Sequence, residues 1–139
     1  MRPQIRDARP RRAREELMQA LLIFAGGLLV ALGVAHSVLG EKYILIRLFR
    51  REDLPKLFGS PDFTIRTLRF AWHLTTIAWF GLGSLLIYVA RGEVTVEGVL
   101  HVVATTCVIS ALLPLIWTRG KHLSWVIFLA VGAIAWIGA

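Results

Sequence analysis

The chain has 139 residues, 56% of them hydrophobic, a mean hydropathy of +0.65 and a formal net charge of +7. One domain's length combined with more apolar residues than the roughly 45–50% of a soluble globular chain argues against an ordinary soluble fold. The positive charge sits in the N-terminal tail and in positions 42–69. No basic face of a soluble module can be drawn, so no nucleic acid is expected as a partner, and membrane lipids with anionic headgroups are. Cys107 stands alone in an apolar run and reads as a small buried hydrophobe.

Residues 1–16 form a basic tail with six Arg and two Pro and no apolar period, expected to be unstructured or laid on the lipid surface up to about Ala13. Residues 17–39 are uncharged, and 23 residues exceed the roughly 20 needed to cross a hydrocarbon core of about 30 Å. The run is too long for the apolar part of a cleaved leader, so it is expected to stay as an anchor. Gly27, Ala31 and Ala35 recur at four-residue spacing, with Gly33 and Ser37 on an adjoining stripe, and such stripes let another helix approach closely.

The connector, 40–69, is the long polar interval of the chain. Between Lys42 and Arg51, Arg47, Arg50 and Arg51 share one helical face while Tyr43, Ile44, Leu45, Leu48 and Phe49 cover much of the rest. This pattern fits an amphipathic helix in the headgroup region or a continuation of the first span beyond it. Ser60-Pro61-Asp62 has the chemistry of a helix start.

The second span is 70–90, bracketed by Arg69 and Arg91, with Trp72 and Tyr88 at aromatic-belt positions. After a short turn the third runs over 94–117, and Pro114 is expected to kink or end it. The fourth, 122–139, is short for a span. Short connections favour antiparallel neighbours. The predicted fold is therefore all-α: an integral membrane four-helix up-down bundle with an interfacial amphipathic segment between helices 1 and 2. Lys and Arg divide seven against nine between the two sides. The six-Arg tail tips the expectation to a cytoplasmic N-terminus, and the near-tie also permits chains inserted both ways.

This topology brings His36, His73 and His122 to one level, with Glu41 just beyond. Three imidazoles and a carboxylate suit a transition metal, and two imidazoles from different helices suit a haem iron. The competing reading is structural, since histidines one turn from a membrane boundary bond carbonyls, carboxylates or phosphates. No His-x-x-x-His or Glu-x-x-His pair supports the metal. His101 and Glu97, four apart, read as a local hydrogen bond. Lys42, Arg47, Arg50, Arg51, Arg66 and Arg69 are the expected headgroup contacts.

Whether the chain catalyses anything is left open by the sequence. The leading expectation is a non-enzymatic accessory, scaffold or lipid-interface subunit whose basic connector meets anionic headgroups or a membrane-complex partner. The rivals are a metal- or haem-binding protein using the histidines, and a small homo-oligomeric channel or transporter. No charged residue lies within 17–39 or 70–90 to couple an ion.

Overall fold

A computed structural model describes residues 9–139, which form helices joined by turns and irregular connections, with no strand among them. The first helix, α1 (Arg9–Gly40), begins within the segment expected to be unstructured. Arg11 Nε donates to Glu15 Oε1 at 3.0 Å, a pair four residues apart in a run of good helix formers. The rest of the predicted tail, residues 1–8, lies outside the described residues.

A five-residue π turn, Glu41–Leu45, joins α1 to a one-turn tail, α2 (Ile46–Leu48). The basic segment after Gly40 is thus the continuation of the first helix. Together these pieces make one rod, Pro10–Leu48, of 39 residues. An irregular connection follows. α3 (Asp62–Ala90) starts one residue after Pro61, and Ser60 Oγ accepts from the Asp62 N–H at 3.3 Å. α4 (Val96–Trp117) opens on a Thr95 cap whose hydroxyl accepts from Gly98 N–H, and it passes through Pro114 for one more turn before ending.

The last helix, α5 (Ser124–Ile137), has 14 residues, about 21 Å by helical rise. The other three rods are long and apolar enough to cross a membrane, and α5 falls short of that length. The expected fourth span loses two residues at each end to the turn before it and the chain after it.

Substantial packing joins α1 to α3, α3 to α4 and α4 to α5. The helices therefore stand in a row in chain order, without the packing of first helix on last that would close a bundle around one core. The buried apolar residues are few and mostly small: Ala90, Ala104, Ala111 and Ala135, with Leu45 and Phe70. Both broad faces of the row expose Leu, Ile, Val and Phe, as lipid-facing surfaces do.

Of the two stripes read in the sequence, α1 meets α3 by the one that holds Gly33 and Ser37, not by the one that holds Gly27. A methyl group at Gly27 would touch nothing within 4 Å. The approach is made by Gly26, Gly33 and Gly40, spaced by seven. A Cβ at Gly26 would lie 2.8 Å from the Gly83 carbonyl, one at Gly33 would lie 2.7 Å from the Phe80 ring, and one at Gly40 would overlap the Trp72 indole.

Candidate functional site

The end of the row where α1 runs into its π turn collects most of the chain's polar chemistry. Ser37 and Glu41 are four apart on the first rod, and Arg69 and His73 are four apart on α3, so each pair shares a helix face. The glycines at 33 and 40 let the two faces close on each other.

Trp72 lies across Gly40, where its Nε1–H donates to the His36 carbonyl at 3.1 Å. The His36 ring stacks on Trp72 at 4.3 Å, nearly parallel, and meets Trp79 edge-on at 4.9 Å. Its Nε2 is buried with no hydrogen-bond partner. One residue on, Ser37 Oγ lies 2.8 Å from His73 Nδ1 and 2.7 Å from Thr76 Oγ1, and Thr76 is also 3.2 Å from the Gly33 carbonyl. On its other side, His73 Nε2 is 3.5 Å from Glu41 Oε2. Arg69 grips the Glu41 carboxylate with two nitrogens, at 2.9 and 3.2 Å, and its guanidinium lies over Phe49. The His73 ring stacks on Trp117 at the end of α4.

This is a polar chain, Arg69–Glu41–His73–Ser37–Thr76, closed by a backbone carbonyl, in which the Glu41–His73 step is a 3.5 Å contact and the other steps are hydrogen bonds. With a proton on Nδ1, His73 donates to Ser37, Ser37 donates to Thr76, and Thr76 donates to the Gly33 carbonyl. With one proton, on Nε2, the hydroxyls must turn to donate toward the ring, and the Gly33 carbonyl loses its side-chain partner. The direction of the chain thus follows whether Nδ1 of His73 carries a proton, the choice of tautomer.

His122 lies at the same end, but not at the same place. Its ring meets Phe70 edge-on at 4.9 Å, stacks on Phe63, and its Nδ1 is 2.9 Å from Ser124 Oγ. Phe70 and Trp72 are two residues apart, about 200° around a helix turning 100° per residue. His36 and His122 therefore stand on opposite sides of α3, and the convergence expected of His36, His73 and His122 is not found. Among the described residues no group of three His, Cys, Asp or Glu side chains is placed to hold a metal ion. Both nitrogens of His73 already face partners of their own. His101, at the other end of the row, puts its Nδ1 3.0 Å from the backbone carbonyl of Glu97, not from its carboxylate.

The expected headgroup residues divide into two kinds. Lys42, Arg47 and Arg50 are exposed and have no carboxylate partner among the described residues. Arg51 pairs with Asp53 at 2.6 and 2.8 Å, and its hydrogen bonds hold the Asp53 carboxyl below the usual carboxylate range. Arg69 is committed to Glu41. Among the described residues, Arg66 reaches the Trp117 carbonyl, at 3.5 Å, and no carboxylate. Sequence reasoning set Ser37 beside Gly33 on a close-approach stripe but did not join it to His73 or Thr76; the four-residue spacings of 37/41 and 69/73 were the signal available for that.

A scan against protein-family models finds no match to this chain, and searches of curated proteins and of solved structures find none either.

Proposed function

We propose that the chain is a non-enzymatic, multi-pass membrane protein whose basic end docks on anionic lipid headgroups, the role of a lipid-interface or accessory subunit. The observation that carries this reading is the state of Lys42, Arg47 and Arg50. They lie beyond the uncharged stretch 17–39, at and just after the end of the first rod, they are exposed, and no carboxylate neutralises them among the described residues. Positions 40–69 and 118–121 together hold nine Lys or Arg against four Asp or Glu. A cation held near an anionic leaflet contributes about 1 kcal/mol of attraction. Three unpaired ones at one end of the first rod give a preference large enough to measure. Tyr43 and Ile44, exposed between them, supply apolar contact at the boundary.

Spin-labelled lipids test this in vesicles containing the full chain. The relative association of phosphatidylglycerol over phosphatidylcholine with the protein is expected to exceed one. It should fall toward one in the triple variant Lys42→Gln/Arg47→Gln/Arg50→Gln, and toward one at high salt, where screening shortens to about 3 Å. A ratio of one for the unaltered protein at low salt ends the proposal.

A further inference from the structure

The turn between α4 and α5 holds an arginine in a position that glycine ordinarily takes. Gly120 N–H bonds the Leu115 carbonyl at 2.9 Å and Arg119 N–H bonds the Ile116 carbonyl at 3.3 Å, the paired bonds of a Schellman helix end. In that motif the residue after the cap adopts a left-handed backbone. Here it is Arg119, at φ +52°, although Gly120 stands next to it. The turn is otherwise firmly held: Thr118 is buried, its hydroxyl donates to the Pro114 carbonyl and accepts from His122 N–H, and Trp125 Nε1 donates to the Gly120 carbonyl.

Arg119 and Lys121 project beside a cavity of about 220 Å³ that is also lined by Arg66, Asp62, Ser60 and Phe58. Phe58 too has a left-handed backbone, φ +58°, so two strained non-glycine residues border one cavity. None of the three cations has a carboxylate within ion-pair distance among the described residues, and Asp62 accepts from Ser60 Oγ at 3.1 Å. The volume is below that of pockets for drug-sized ligands, and it suits one small polar group.

We infer that this cavity is a binding site for a phosphate ester carrying a free hydroxyl, of the kind presented by a phosphatidylglycerol headgroup. Arg119 and Arg66 offer planar donor forks matched to phosphate oxygens, and Lys121 adds a point charge. Asp62 and Ser60 offer acceptors for the hydroxyl, which an isolated phosphate would leave unused. The inference deepens the headgroup reading and rests on it for the lipid as source; the same chemistry is carried by free glycerol phosphate.

The test uses the full chain in detergent, titrated with dioctanoyl phosphatidylglycerol, dioctanoyl phosphatidylcholine and glycerol 3-phosphate, with heat of binding as the readout. Saturable binding of the glycerol lipid at least fivefold tighter than of the choline lipid is expected. In Arg119→Gly the affinity should drop at least fivefold while the melting temperature holds or rises, because glycine takes the left-handed backbone without steric cost. Lys121→Gln is the second variant, with a loss of similar size. Binding of glycerol 3-phosphate as tight as that of the lipid supports the site and makes its source soluble. Equal affinity for the two lipids, or affinity unmoved in both variants, overturns the site. If the site falls while the spin-label preference of Lys42, Arg47 and Arg50 persists, the headgroup reading stands without it; the opposite pairing of results removes the reading and keeps the site.

Discussion

His73 has a polar neighbour at each ring nitrogen, and both neighbours come from the first rod, so the cost of removing either follows directly. Ser37→Ala would strand Nδ1 of His73 and take a partner from Thr76 in a part-buried interface. Leaving such groups unsatisfied costs about 1–3 kcal/mol. Reversible unfolding in mixed micelles is expected to show a loss in that range, and a variant as stable as the parent would mean that the hydroxyl chain is not formed. Two of the carboxylates at this end, Glu41 and Asp53, give a controlled comparison. Glu41 is about one-third exposed and serves both Arg69 and His73, so Glu41→Gln should lower stability measurably. Asp53 faces Arg51 in open solvent, and Asp53→Asn should leave the unfolding midpoint unchanged. The sign with pH follows from its lowered value: any contribution of the Asp53 pair is present above the unfolded carboxylate range and is lost as pH falls through that lowered value.

At the scale of the element, what decides the packing of α1 is a rotation of one residue. Gly26 and Gly27 are adjacent, 100° apart around the helix, and sequence spacing alone favours neither as the contact face. The partner helix settles it, through Gly83, Phe80 and Trp72, and partner side chains are not readable along one chain. Gly40→Ala, whose Cβ would overlap the Trp72 indole, is expected to destabilise by about 1–3 kcal/mol and to disturb the stack on His36. Gly27→Ala meets open space and removes a helix-weakening glycine, so it should be neutral or stabilise by up to about 1 kcal/mol. Tryptophan fluorescence and unfolding of the two variants check both, and equal losses would mean that α1 is turned the other way. The same limit explains the histidines. Their common level follows from helix lengths, which apolar runs reveal. Their convergence depends on which side of α3 each neighbour takes, and α1 and the α4–α5 turn take opposite sides. The continuation of α1 through Glu41–Leu45 was open in the sequence because an amphipathic pattern is the same for a helix lying flat and for one carried onward through a π turn.

For the whole molecule, the row order makes an experiment on sidedness more informative than a count of charges. The connection between α2 and α3 and the turn between α4 and α5 both border the cavity lined by Leu57, Arg66 and Lys121, so they share one end. Glu93 lies between α3 and α4 at the other end, where its carbonyl accepts from Tyr88. In a chain with Cys107→Ala, single cysteines at Lys56 and Lys121 should react with a membrane-impermeant maleimide from the same side, and a cysteine at Glu93 from the opposite side. Labelling of 56 and 121 from opposite sides would break the antiparallel order of α3 and α4 in the membrane. Ala139 tests the short helix. Trp136 meets His101 edge-on, and Gly138 lies beside Leu100, so α5 reaches back along α4 to about one turn from Val96. With about 21 Å of helix against about 30 Å of hydrocarbon, a cysteine at 139 is expected to react more slowly than one at 93. Reaction at 139 as fast as at 93, and from the same side, would mean instead that the bilayer thins beside α5 to the length of that helix. In that case the exposed apolar face of α5, with Ile127, Ile134 and Ile137, sets the local thickness of the membrane around it.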